Sequence, residues 1–361
     1  MEPLDPAPAF PERLRDLPLR AYRPRSMLRL PEHEVARARY PVIDVHNHLG
    51  RWLTDDWSSP DVGALVDLMD ACHVRAIVNL DGRPGELAAN LERYDLAHPG
   101  RFATFCQVDW DEPRAGGAFG DRLAVALREA VDRGARGMKV WKILGLHVRD
   151  DAGTLVMPDD ERLDPLWAAA AGTGVPVLIH VGDPVAFFEP LDETNERLEE
   201  LAEHPDWWFG DRARFPAFGA LIASFEALVA RHPDTTFVGA HVGGYAEDLT
   251  WVDRMLDAYP NLHVDIAARI AELGRQPRAT LRLLQRHPDR ILFGTDDFPP
   301  NRETYITHFR FLETADEHFA YAADETPPQG RWSISGLDLP EDILRKVYAD
   351  NALRLVPGLA S

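Results

Sequence analysis

From about residue 41 onward, short apolar, β-branched runs alternate with longer amphipathic stretches. That is the pattern of βα units feeding a parallel sheet. The runs predict strands at Val42–His46, Val74–Asp81, Phe102–Asp109, Gly137–Ile143, Val177–Gly182, Thr236–Gly243, Leu262–Arg269 and Ile291–Asp296. Eight parallel strands close a (β/α)8 TIM barrel. Helices are predicted between them at Asp61–Ala71, Gly85–Ala97, Asp121–Arg133, Leu163–Ala171, Ala246–Ala258 and Ala279–Arg286. His98, His232 and His287 each precede a proline between a helix and the next strand. There a cation complements the helix dipole and Pro stops the helix, so these three are read as helix ends.

Residues 1–40 keep neither period and are rich in Pro and Arg, which predicts an extended N-terminal arm ahead of a barrel over 41–361. Two connections are long. One runs from Pro184 to Asp234 after the fifth strand and carries Trp207, Trp208, Phe209, Phe215 and Phe218. The other runs from Phe298 to Gly336 after the eighth, with a helix expected around Thr304–Ala315. Long loops that follow barrel strands sit at the mouth, as lids or binding loops; the aromatics are read equally well as the packing of an inserted helical hairpin.

Composition narrows the class. Hydrophobic residues make up 45%, enough for a large core, and 39 Lys plus Arg against 59 Asp plus Glu give a formal charge of −20. That balance argues against nucleic acid as a partner. No window resembles a membrane span, and the start of the chain lacks a signal-peptide pattern. Cys72 and Cys106 suit a reducing compartment, so a soluble cytoplasmic protein is expected.

The candidate chemistry gathers at strand ends. Asp44, His46 and His48 alternate along the first strand, and period-2 geometry points all three to one side. With Val177 and Ile179 outward, His180 faces in; with Val238 and Ala240 outward, Gly239 and His241 face in; with Ile291 and Phe293 outward, Asp296 faces in. Each lies at the C-terminal end of its strand, the catalytic face of a barrel. On the fourth strand Lys139 and Trp141 face in, and on the seventh Asp265 and Arg269 do.

The set His46-x-His48, His180, His241 and Gly294-Thr295-Asp296-Asp297 resembles the amidohydrolase superfamily. It is most similar to the amidohydrolase-related branch that includes aminocarboxymuconate semialdehyde decarboxylase. The resemblance covers about residues 41–356. It implies a divalent metal, Zn²⁺ first and Mn²⁺ as the alternative, held by His46, His48, His180 and Asp296. His241 is then the acid/base and electrophilic residue, and Asp296 also carries protons. Asp44 is read as an acceptor behind a ligand histidine that fixes its tautomer, or as a structural hydrogen-bonding group. Lys139 is either a carbamate bridging a second metal, as in two-metal relatives, or a partner for an acidic neighbour or the substrate. Arg269 binds a substrate carboxylate or pairs with Glu272 or Asp265. Arg51, Arg83 and Trp141 are mouth residues, Arg51 and Trp141 being assigned to the substrate, and Lys142 is either a mouth residue or solvated. The inserted loops, with Phe187 and Tyr245, carry specificity.

Hydrolysis of an amide, cyclic amide or lactone through a metal-activated water is the first functional expectation. Nonoxidative decarboxylation of a small unsaturated acid is the second. Many aromatic-acid decarboxylases of the group carry Glu where this chain has His46 or Asp44, which weakens the aromatic-acid case. A non-catalytic metal-bearing assembly protein is the third. A homodimer acting on a small molecule is expected.

Overall fold

The computed structural model describes residues 10–18, 21–51 and 56–359. The chain divides into two compact units, Met1–Glu32 and His33–Ser361. Within the first unit the described residues hold one short 3-10 turn, Glu12–Leu14, and leave Tyr22, Met27 and Leu28 exposed. The predicted arm falls partly outside the described residues. Residues 33–40 belong to the second unit, where the Ala38 amide donates to the Cys72 carbonyl.

That second unit is the predicted (β/α)8 barrel. Eight parallel strands pair in sequence order: β1 Val42–Asn47, β2 Val74–Gly82, β3 Phe102–Cys106, β4 Met138–Val140, β5 Val177–Ile179, β6 Phe237–Gly239, β7 Leu262–Asp265 and β8 Ile291–Leu292. Two backbone bonds, Val45 amide to Phe293 carbonyl and Asp296 amide to His46 carbonyl, tie β8 back to β1. The later strands end sooner than their apolar runs, because the chain leaves the ladder at the mouth to build the site.

Alternation sorts the strand residues into two cores. Val42, Ile77, Met138, Val140, Val177, Ile179, Phe237, Ile291 and Phe293 pack with helix residues such as Leu123, Trp167 and Phe225. Ile43, Val45, Val78, Leu80, Phe105, Leu178, Val238, Ala240 and Leu292 fill the interior. Ala349, Ala352, Val356 and Leu359 join that interior cluster. Asn351 bonds the Pro288 and Ile291 carbonyls at the start of β8, so this C-terminal segment closes the end opposite the mouth.

Here β6 corrects the sequence reading. Val238 and Ala240 line the interior rather than the helix side, while Phe237 and Gly239 face Trp167 and Phe225. His241 reaches the mouth through left-handed backbone at His241 (φ 58°) and Val242 (φ 60°), not through strand alternation. For a β-branched residue that conformation costs about 1–2 kcal/mol, a strain of the kind concentrated at functional sites. Strand β1 departs similarly. Its register against β2 shifts between Asp44 and Asn47. Ile43 and Val45 take the interior, and His46 and His48 still reach the mouth.

The connection from β5 to β6 holds short turns, a helix Leu198–Glu203, and the barrel helix Phe218–Arg231, absent from the predicted helices. Leu221, Ile222, Phe225, Leu228 and Val229 form its buried stripe. Among the described residues, no helix is long and apolar enough to cross a membrane.

Candidate active site

At the mouth lies a cavity of about 490 Å³ whose walls include His46, His48, Lys139, Trp141, His180, His241, Arg269 and Asp296. Of the four proposed metal ligands, His46, His48 and Asp296, from the ends of β1 and β8, bring one ligand atom each within 4.8 Å of one another, whereas His180 after β5 lines the same cavity outside that cluster. The Asp296 Oδ1 lies 3.6 Å from His46 Nε2 and 3.5 Å from His48 Nε2. A tetrahedral ion with bonds of about 2.0–2.1 Å needs donors roughly 3.3–3.4 Å apart. The spacing fits.

The tautomers fit as well. His46 Nδ1 meets Asp265 Oδ2 at 2.8 Å and His48 Nδ1 meets Asp81 Oδ1 at 2.7 Å, leaving both Nε2 atoms facing the cavity. Burial, with the Lys139 cation beside it, holds His46 well below the ordinary imidazole range. Burial lowers His180 to about 4. Neutral imidazoles offer lone pairs, which is what a ligand must do. His180 Nε2 is buried without a hydrogen-bond partner, 3.5 Å from Asp183 Oδ1. An orphaned buried nitrogen of this kind calls for a missing partner, and a metal ion supplies one.

His241 donates from Nδ1 to the Ala267 carbonyl (2.9 Å), so its Nε2 faces Asp296 Oδ2 at 3.7 Å. Its backbone amide donates to Asp265 Oδ1 at 2.8 Å. Asp265 thus orients two site histidines at once, and burial pushes its carboxyl up to about 7. Burial likewise raises Asp296.

The remaining candidates divide. Asp44 meets no histidine ring. Its carboxylate accepts from the His46 and Thr295 amides, the Thr295 hydroxyl, Asn47 and the Tyr305 hydroxyl, locking β1 to β8. The ring-orienting carboxylates are instead Asp81 and Asp265, neither of which had been given that role. Asp81 also takes the Gly50 amide at 2.7 Å, and a Cβ at Gly50 would stand 2.5 Å from the Asp81 Cβ, so only glycine allows this approach. Lys139 is buried with Nζ 3.0 Å from His46 Nε2 and no carboxylate contact of its own; burial lowers it to about 8. Trp141 tilts against His48, ring centres 4.8 Å apart. Lys142 pairs with Asp183 at 2.6 Å. Arg51 does not line the cavity. It pairs with Glu86 at 2.8 Å and covers Trp57. Arg83 lines a separate cleft of about 410 Å³ with Trp110 and His147. Tyr245 packs on Phe218 and Trp251, whereas Phe187 and Trp207 form part of the cavity wall.

Replacing Asp81 by Asn keeps an acceptor for Gly50 and removes the negative charge that faces His48 Nδ1. Metal affinity is expected to fall about 10–100-fold, read by titration against a competing chelator. An unchanged affinity would remove Asp81 from the supporting shell.

The model of the amidohydrolase family matches residues 43–358. The chain belongs to that family, and the superfamily's enzymes are metal-dependent. Similar solved structures include 2,6-dihydroxybenzoate decarboxylase from Rhizobium, 16% identical over 88% of this chain and 98% of that one, TM-score 0.54. Dihydroxybenzoic acid decarboxylase from Polaromonas sp. JS666, with bound manganese and 2-nitroresorcinol, is 14% identical over 88% and 96%, TM-score 0.53. A putative amidohydrolase from Staphylococcus aureus is 15% identical over 88% and 99%, TM-score 0.54. At these identities the likeness is one of fold. No curated protein matches the sequence.

Proposed function

We propose that the protein is a metal-dependent, nonoxidative decarboxylase of a small unsaturated carboxylic acid. The observation that carries this reading is Arg269. Only 8% exposed and lining the cavity, it makes no ion pair among the described residues and donates Nη1 to the adjoining Ala268 carbonyl at 2.8 Å. Both carboxylates that competed for it are engaged, Glu272 by Arg197 and Asp265 by His46. A largely buried guanidinium with carboxylates nearby but none in ion-pair contact has its fork free for an anionic ligand, and its planar geometry matches a carboxylate. Trp141, Phe187, Trp207 and Phe298 form apolar walls suited to a flat, unsaturated body. Hydrolysis, the first expectation from the sequence, requires no such anion anchor. The dihydroxybenzoate decarboxylases of the same fold act on acids by their names, which supports the same choice.

His46, His48, His180 and Asp296 would hold the ion, with Zn²⁺ or Mn²⁺ as candidates. When bound, it supplies electrophilic stabilisation of negative charge developing on the substrate. The chain's own groups do the rest. Arg269 holds the acid and the aromatic walls exclude water. In decarboxylation the C–C bond to the carboxylate breaks, its electron pair stays on the substrate carbon, and a proton replaces CO₂. Asp296 is the group positioned to deliver that proton from Oδ2, with His241 Nε2 beside it to accept and return one.

Metal-loaded protein should release CO₂ from unsaturated acids and no ammonia from amides. Arg269→Met should raise KM for the acid about 10²–10³-fold, as expected for loss of a buried charge partner costing roughly 2–5 kcal/mol. Ammonia release or lactone opening without CO₂, or an unmoved KM, would overturn the proposal.

A further inference from the structure

The inserted helix Leu198–Glu203 hangs one acidic side chain, Glu200, into the same cavity. Its Oε2 accepts from Arg197 Nη1 at 2.5 Å, and among the described residues no hydrogen bond or ion pair engages Oε1. Arg197 is 1% exposed and also donates to Glu272 on the helix Ile270–Arg275, which begins one residue after Arg269. Two further pairs, Arg275–Glu196 (3.0 Å) and Arg331–Glu199 (2.7 Å), hold the insert in place. The Glu200 carboxylate is therefore fixed by its pair with Arg197, on a helix whose Leu201 is buried in the core. Burying a guanidinium between two carboxylates is a poor way to gain stability, since apolar replacements of similar volume often do as well or better. What it does provide is a fixed acceptor on the cavity wall.

Resting on the acid-binding reading above, we propose that Glu200 determines substrate specificity. It selects acids that carry a hydroxyl or amino donor away from the carboxylate held by Arg269, and it rejects diacids. A carboxylate on the cavity wall with one oxygen bound and the other without a hydrogen bond attracts an O–H or N–H donor. It leaves a second anion unpaired against like charge, so the same residue selects and excludes. A hydrogen bond to a charged acceptor carries more than a tenfold preference.

The test is calorimetric titration of the metal-loaded protein with benzoate, 3-hydroxybenzoate and isophthalate, planar acids that differ only in the second substituent. Wild type should bind 3-hydroxybenzoate about tenfold tighter than benzoate and isophthalate about tenfold weaker. Glu200→Ala should bring all three together. Glu200→Gln, which still accepts from Arg197 and can turn its amide N–H toward the cavity, should favour isophthalate over 3-hydroxybenzoate. If either variant weakens benzoate as much as 3-hydroxybenzoate, or leaves the isophthalate penalty in place, Glu200 only supports the fold and the proposal fails. CO₂ evolution is scored separately. Intact discrimination without CO₂ refutes the decarboxylase reading alone, and CO₂ without discrimination refutes the role of Glu200 alone.

Discussion

Asp296→Asn is expected to leave the barrel folded, to empty the metal site and to lower turnover at least about 10³-fold. The substitution is clean for a backbone reason. Asp296 has φ 58°, in the left-handed region where asparagine is among the few tolerated side chains. The Asp296 amide keeps its bond to the His46 carbonyl, so the β8–β1 closure survives. What is lost is one negative donor 3.5–3.6 Å from two imidazole nitrogens, and the acid beside His241. General acid catalysis by one positioned group contributes about 10²–10⁴-fold, and loss of a ligand adds to that. Elemental analysis should find wild-type chains near one equivalent of divalent metal and the variant near none, and the metal-free forms of both should share one melting temperature. A variant that still holds a full equivalent would show that Asp296 is not a ligand. Full turnover with metal bound would remove it from the proton path.

The barrel is legible in the sequence because each strand is an apolar run between turn residues, and buried parallel strands need little else. His180 and Asp296 are legible for the same reason: the outward partners Val177, Ile179, Ile291 and Phe293 fix the phase. On β6 this logic inverts. Phe237, Val238 and Ala240 are all apolar and all buried, so apolar character alone does not choose the side. The four successive left-handed residues His241–Gly244 then turn the histidine back to the site. The Gly243-Gly244 pair is the one local signal that could have suggested this turn. Partner choice is the least legible part. Asp265 lies 219 residues from His46, and the insert bringing Arg197 to Glu272 has no periodic pattern of its own. Without that contact the sequence leaves Arg269 with a ready neighbour in Glu272. With it, Arg269 has no ion pair among the described residues, which is the observation the proposed decarboxylase rests on.

Arg197→Met tests that contact directly. Glu272 is almost fully buried and its Oε2 already lacks a partner, while Glu200 is largely buried beside it. Removing the shared cation strands both carboxylates, and breaking a buried pair from one side costs about 3–5 kcal/mol. The melting temperature should drop by several degrees, and the insert should become the first segment to exchange its amide hydrogens. The double variant Arg197→Met with Glu272→Leu removes the stranded charge at the barrel side. It should recover most of the loss, because apolar packing of similar volume replaces such pairs at little cost. The two variants therefore diverge in stability, yet both lose the anchor that holds Glu200 in place, so both should lose the preference for 3-hydroxybenzoate. A double variant as unstable as the single one would mean that Arg197 contributes through its packing against Trp332, 5.8 Å from that ring centre, rather than through charge.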